Sequence, residues 1–535
     1  MNALVTLLIL VPATLMADVR ETVEQLASLG SRVTGYAGNE RAADYIEQRF
    51  QALGLAAHRD TLSVVVPLDR GGRIEWEGES AVLHALWPNS ARTSTLPPEG
   101  VRVPAIWAGR GDWADFNGRE VAGRVVVLDF DSSSNWLKAA ALGARAVVFA
   151  APDTATTMQA VAKFADTPLD VPRFWLERGA AEKLRRRLQE GEAEVALRSR
   201  MDWAERPAWN IWTRIPGRDP ALADQVVLLH SYYDAPSIVP ALAPGAEAAA
   251  SIAVLLETAR SLRARPPVRP VILAALGAHF QARQGMVDFL GRHARRQPYY
   301  ARKLAAELDI DLFVGLDLSS HGEQVVLWNN TSSYKLKRHF VPFGRRFSAY
   351  AEALGRAEAL ANGISPIRGM DWASYMPGGL NPDGGLALDA GYPSLTLATV
   401  NDARYALDLP LDRAEHVDGN KLTRQSELVT ALLARALDDP GLLEGVADLN
   451  KALKDRLRDL DVKARIFHVA VKCPTGRWWG RWSRSRASRG QSRGCGGCAI
   501  IAPMSAARRQ CRACRSGAIP WESMRSTSST APSPT

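Results

Sequence analysis

LLHSYYDAPSIVPALAPGAEAAASIAVLLE, residues 228–257, is the stretch whose reading decides the fold. Its two leucines finish the apolar run begun by Val226 and Val227, which has the length and composition of a buried strand. Ser231–Asp234 form a polar turn carrying Asp234. Pro236, Pro240, Pro244 and Gly245 then make a Pro/Gly-rich crossover, and a helix of small apolar residues starts near Glu247.

The same grammar extends outward. From Trp209 to about Asp439, the apolar runs NIWTRI, QVVLLH, PVILAAL, LFVGLDL and PSLTLATV read as strands. EAAASIAVLLETARSL and DGNKLTRQSELVTALLARAL read as helices between and after them. Unbroken apolar strands alternating with helices predict an α/β fold, a mostly parallel mixed sheet covered by helices on both faces. Upstream, DVRETVEQLASLG and NERAADYIEQRFQALG have helical spacing, with Asn39 in the position of a cap and Gly30 and Gly54 as stops. Residues 56–205 are richer in short β-branched runs, among them a compact β-α-β unit, RVVVLDF–NWLKAAALGA–RAVVFA. The expected division is an apolar leader (1–17), N-terminal helices (18–55), a smaller β-rich insert (56–205), the main α/β domain (206–440), a helix and linker (441–472) and a tail (473–535). No internal repeat is visible.

At 535 residues and 58.2 kDa the chain is long enough for two or three cores. Its net charge of +9 invites a search for an acidic partner, but the excess is local. Residues 473–535 hold 11 Arg and one acid, Glu522, a charge of +10 that leaves the body at about −1. Charge therefore gives no argument for nucleic-acid binding by the body.

All five cysteines (Cys473, Cys495, Cys498, Cys511 and Cys514) lie in the tail, so disulfides do not hold the body together. Two Cys-x2-Cys pairs separated by twelve residues have the spacing of a zinc ribbon. Their surroundings lack any Leu, Val, Phe, Tyr, Asp or Lys, and show no periodicity. So abrupt a change of composition reads as a frameshift product beginning near Phe467–Thr475, with a four-cysteine zinc site and a natural basic tail as the alternatives. Gly490-x-Ser492-x-Gly494 lacks the strand–turn–helix setting of a nucleophile elbow. At the other end, Ala3–Ala17 is a 15-residue apolar run ending in small residues. It is short for a membrane span and, although no Lys or Arg precedes it, reads as a signal-peptide core, which implies export to the periplasm, the medium or a membrane surface; a buried N-terminal helix is the alternative. No later stretch is long and apolar enough to imply an integral span.

In sheets of this type ligands gather beyond the carboxyl ends of strands. His230, Tyr232 and Asp234 fall there after one strand, His279 after PVILAAL, Asp317 after LFVGL, and Asp402 and Asp408 after PSLTLATV. No H-E-x-x-H helix, phosphate loop or dinucleotide fingerprint is present.

On these blocks the chain resembles the zinc-dependent exopeptidases that include bacterial aminopeptidases, glutamate carboxypeptidase and the transferrin receptor ectodomain. The likeness covers most of residues 20–435. It rests on GSRVTGYAGNERAADYIEQRFQALGL for the family's N-terminal helix pair, on Gly123–Ala150 for its protease-associated insert, and on the order of the α/β blocks. The resemblance implies a site of two zinc ions. Carried over residue by residue, the family's first metal histidine falls on Tyr232, while the Asp of that turn survives as Asp234. The bridging aspartate falls on Ala248, with Glu247 beside it, and the Glu-Glu pair of general base and ligand falls on His279-Phe280. A metal aspartate is kept as Asp317, and the final histidine falls on Asp408, with Asp412 and Asp418 keeping the spacing that follows. Ala248 cannot bridge two cations, and Phe280 puts an apolar ring where a charged ligand belongs.

The resemblance, so read, implies an exported zinc-exopeptidase-like protein that has lost most of its metal site, binds little or no zinc, and acts as a binding or scaffold homologue for a peptide or protein in its cleft. The alternative is a working metallo-aminopeptidase or carboxypeptidase with a rearranged site. It would use His279 in the place of the general base, Asp317 and Asp408 as metal ligands, and Tyr232, Asp234 and Glu247 around them. A third class, a nucleic-acid binder acting through a zinc ribbon or basic tail, rests on residues 473–535 alone.

Overall fold

The structure is a computed structural model that describes residues 14–294, 308–322, 324–329, 334–362, 382–400 and 406–470. The chain divides into two compact units, Met1–Arg465 and Ile466–Thr535. The first is an α/β fold built on a mixed 13-stranded sheet flanked by helices, as the apolar runs predict. The apolar leader and the tail, with all five cysteines, lie outside the described residues, apart from the start of the first helix, Thr14–Ser28.

The N-terminal part contributes seven strands: β1 (His58–Trp76), β2 (Glu79–Ala85), β3 (Val101–Trp107), β4 (Val125–Asp129), β5 (Ala146–Ala150), β6 (Arg173–Leu176) and β7 (Ala193–Ile215). The main α/β part adds β8 (Val226–Tyr232), β9 (Val271–Leu276), β10 (Ile310–Asp317), β11 (Gln324–Trp328), β12 (Leu360–Asn362) and β13 (Ser394–Val400). Spatial order is β1-β2-β6-β5-β4-β3-β7-β9-β8-β10-β13-β11-β12. β4 and β5 are parallel and joined by the helix Trp136–Ala141, which is the expected β-α-β unit.

β7 is the strand that ties the two halves together. Its first residues pair with β3, its middle runs antiparallel to β1, and Ile211–Ile215 pair with β9. Beyond β9 the ladder is parallel through β8, β10 and β13, then antiparallel at β11. The length of the β1–β7 ribbon is not legible in the sequence, because both strands mix charged and apolar residues.

The central strands are apolar because both their faces are covered. All seven residues of β8 and all six of β9 are buried. The helix Ala250–Ala264 is buried around nearly its whole girth, which explains its small side chains. Close approach also fixes Gly315. A Cβ there would stand 2.8 Å from the imidazole of His230, its partner on the neighbouring parallel strand. The second helix runs Ala37–Ala52 with Tyr36 as its cap residue, not Asn39. Asn39 is buried in the first turn, where its side-chain amide donates to the Arg32 carbonyl at 3.2 Å.

The crossover after β8 leaves the main core and packs on the N-terminal part. Ile238, Val239 and Leu409 join the cluster of Phe130, Phe149 and Trp175. The Trp87 amide donates to the Ile238 carbonyl at 2.7 Å, and the Ile238 amide to that of Asp408 at 2.8 Å. The loop that follows the carboxyl end of β8 is therefore held by residues that the sequence places far away.

Candidate functional site

Tyr232 ends β8 and His279 lies three residues past the end of β9. Their rings stack at 4.1 Å between centroids, 20° from parallel. Phe280 meets both edge-on, at 5.5 Å from Tyr232 and 4.7 Å from His279. The Tyr232 hydroxyl donates to Asp317 Oδ1 at 3.4 Å, at the end of β10. Tyr232, Ala235 and Ala248 form a small buried apolar cluster, with Phe280 and Leu407 packed against it. Three positions at which the resemblance implies metal ligands (Tyr232, Ala248 and Phe280) are thus packed together as an apolar knot.

His279 Nδ1 lies 3.0 Å from Asp383 Oδ1, with both side chains nearly buried. Burial alone would lower the imidazole pKa. Asp383, by charge and hydrogen bond, and then Asp234 and Asp317 more than offset that and hold it above the ordinary histidine value. The loop that delivers His279 is strained. Ala278, Ala282 and Arg283 all have left-handed backbone, with φ of 52°, 55° and 57°. Such residues cost on the order of 1–3 kcal/mol each and persist only where the surroundings impose them. Here the Arg283 amide donates to the His279 carbonyl at 2.8 Å and the Gln284 amide to that of Ala278 at 3.0 Å. Gly285 closes the loop so tightly that a Cβ would stand 2.0 Å from the Gly277 carbonyl oxygen.

Asp234 is fully buried. Its Oδ2 accepts from the Thr34 hydroxyl at 3.0 Å and the Phe280 amide at 3.3 Å, while Oδ1 has no partner among the described residues. Burial raises its pKa. It therefore serves as a brace between the N-terminal helices and the His279 loop.

Glu247 belongs to a second cluster. Its carboxylate accepts from the Ser320 amide at 2.9 Å and from the Ser320 hydroxyl, and His321 Nε2 lies 3.2 Å away. The Glu247 amide donates to Asp412 Oδ1 at 2.8 Å. Burial first, and then the charge of Glu247, push the Asp412 carboxyl up to about 8. Arg32, fully buried, donates to the Gly245 carbonyl at 2.7 Å and lies within the field of Asp412 and Asp234.

Of the residues singled out from sequence, Tyr232, His279, Asp317 and Asp234 come together. Glu247 sits in the adjoining cluster. Asp408 turns the other way: its backbone is left-handed at φ 68°, and its Oδ2 accepts from Thr157 Oγ1 at 3.3 Å. Burial raises its pKa to about 6. Asp402 lies outside the described residues. His230 is buried beneath the strand ends, and burial lowers its pKa to about 4. Sequence reading missed Asp383, which comes from a turn 104 residues after His279 and not from a strand end. It also missed Ser320, three residues beyond Asp317. Among the described residues no group of three or more His, Cys, Asp or Glu is placed to hold a metal ion. No described helix is long and apolar enough to cross a membrane.

Residues 210–433 match the sequence profile of Peptidase family M28. Two solved structures share the fold. A zinc aminopeptidase from Bacillus subtilis superposes with a TM-score of 0.52 at 19% identity, over 79% of this chain and 95% of that one. A Peptidase M28 precursor from Shewanella amazonensis gives 0.53 at 16% identity, over 80% and 95%. No curated protein matches the sequence.

Proposed function

We propose that the M28-type domain of residues 210–433 keeps the peptidase architecture without its two-zinc chemistry, and that the chain is an exported protein whose cleft binds peptide. The observation that carries this reading is the stack of Tyr232 on His279 beside Ala248 and Phe280. Two closely spaced zinc ions need about five His and carboxylate donors, one of them bridging. Four of the five positions that the resemblance assigns to ligands hold Tyr232, Ala248, Phe280 and Asp408, and Asp408 is engaged with Thr157. The donor set does not fit the family's metal pair, and no reaction step is drawn through one.

What remains at the strand ends is a raised-pKa imidazole, the packed rings of Tyr232 and Phe280, and buried carboxylates. Those features suit a peptide's amide groups and charged termini better than they suit water activation. Residues 56–205 are read as a protease-associated-like insert, whose Ile238 and Asp408 contacts shape the rim. Export rests on the apolar leader 1–17.

The His279–Asp383 pair favours a second reading, a hydrolase with a rearranged site in which His279 is the general base. Assays of the full chain on amino-acid p-nitroanilides and blocked dipeptides, with added zinc and with a chelator, separate the two. No chelator-sensitive cleavage is expected. Turnover that zinc restores and His279→Ala abolishes would establish the hydrolase instead.

A further inference from the structure

From His58 to Asp69, β1 runs against Trp212 to Met201 of β7, and among the described residues no third strand pairs on the outer side of β1 in this stretch. The alternation of the ladder shows which backbone groups point outward. The Thr61 carbonyl accepts from Arg292 Nη2 at 2.6 Å. The Pro67 carbonyl accepts from the Tyr36 hydroxyl at 3.1 Å, and the Asp69 amide donates to the Tyr36 hydroxyl oxygen at 2.8 Å. Odd-numbered residues therefore face out, and side chains guard both ends of the edge. Between those guards lie the N–H and C=O groups of Ser63 and Val65, which meet no hydrogen-bond partner among the described residues.

Two cavities flank this opening and share Ser63 and Gln284. One, of about 690 Å³, reaches Arg206 and Arg292. The other, of about 450 Å³, runs past Val65 and Trp203 to Phe280 and Gln281, at the margin of the candidate site. Val65 and Trp203 are 62% and 41% exposed, more than a buried ribbon would leave them. Both polar atoms of the Gln281 amide are shielded from water without a partner among the described residues, as is Arg206 Nε. The groove's carboxylates are engaged: Glu205 accepts from the Ser63 hydroxyl at 2.5 Å, and Asp288 pairs with Arg292 at 2.8 Å. Glu205 keeps its charge on that hydroxyl, and Arg206 beside it has no ion pair among the described residues.

We infer that the Ser63–Val65 edge takes an extended peptide bearing an acidic group as an added strand, with the carboxylate toward Arg206 and one peptide unit on the Gln281 amide. The inference rests on the peptide-binding function proposed above and locates it. Unpaired sheet edges are costly liabilities unless covered, and main-chain pairing with a guest strand is an established means of peptide capture. Two outward residues offer four hydrogen bonds, enough for a segment of about three to five residues.

The test uses the full chain and a fluorescein-labelled heptapeptide library varied among Val, Thr, Ala, Glu and Lys at its five central positions. Retained sequences are read by mass spectrometry and their affinities by fluorescence polarisation. Glu-containing peptides are expected, and Arg206→Gln should erase that preference. Val65→Pro removes one outward N–H from an edge strand and should weaken binding at least about tenfold. The best peptide, N-methylated at alternate residues, should lose binding for one alternate set and keep it for the other. That arm needs no protein variant and decides the matter should the proline substitution unfold the chain. Binding indifferent to Val65→Pro and to both N-methylated sets would overturn the edge while leaving peptide binding in place. Retention of no peptide would overturn both.

Discussion

Tyr232 lies flat against His279, its hydroxyl reaching Asp317 on the next strand. A phenol ring placed so fills the corner between three strand ends, and the imidazole is locked between it, Phe280 and Asp383.

Removing the ring should be costly. Tyr232 is 6% exposed, and Tyr232→Ala should lower unfolding free energy by about 3 kcal/mol through lost contacts and a residual cavity. Tyr232→Phe keeps the stack and loses only the long bond to Asp317, so its cost should be under ~1 kcal/mol. Urea denaturation of both variants measures the pair. Equal losses would show that the hydroxyl, not the stack, carries the contact.

His279 should titrate above an ordinary histidine because Asp383 is bonded to it. A raised folded-state pKa contributes stability that is fully present below the unfolded value of about 6.5 and is lost as pH rises through the folded value. Asp383→Asn should therefore lower the His279 pKa and cost stability chiefly on the acid side. Imidazole NMR titration reads the first effect and denaturation at a series of pH values the second.

Asp412 gives a prediction over a wider window. Its folded-state pKa of about 8 lies far above the unfolded carboxyl value of about 3.9. A carboxyl so raised favours the fold while protonated, and that advantage fades from the unfolded value upward until pH passes about 8. Asp412→Asn stays neutral and keeps an acceptor for the Glu247 amide. The variant should lose less stability than the parent between the two pKa values, read from urea midpoints. Parallel pH curves for the two proteins would refute this.

Gly285→Ala should be among the most damaging single changes in the His279 loop. Its methyl would stand 2.0 Å from a backbone oxygen of Gly277, which has nowhere to retreat. A loss of at least ~3 kcal/mol is expected, read as a lowered melting temperature or insoluble expression.

Much of the fold was legible because its central strands advertise burial. QVVLLH, PVILAAL, LFVGLDL and PSLTLATV need no partner to be recognised, since a strand covered on both faces is apolar throughout. The β1–β7 ribbon was not, because its pairing is a matter of register between segments distant in sequence, from His58 with Trp212 to Glu75 with Ala196, and its faces are mixed. At the site, Tyr232, His279 and Asp317 were found by the rule that strand ends carry function. Asp383 escaped that rule by arriving from a turn. Asp408 obeyed it in sequence, yet its left-handed backbone carries the carboxylate to Thr157. Side-chain direction at one φ angle is not written in residue type.

Residues 210–433, which match the Peptidase family M28 profile, are proposed to hold no zinc pair. The most direct measurement is the zinc content of the purified full chain with its five tail cysteines changed to serine, so that bound metal reports on the body alone. Elemental analysis after dialysis against buffered micromolar zinc should find no stoichiometric metal, in the parent and in Asp317→Ala alike. One or two zinc ions per chain, lost on Asp317→Ala, would contradict the account.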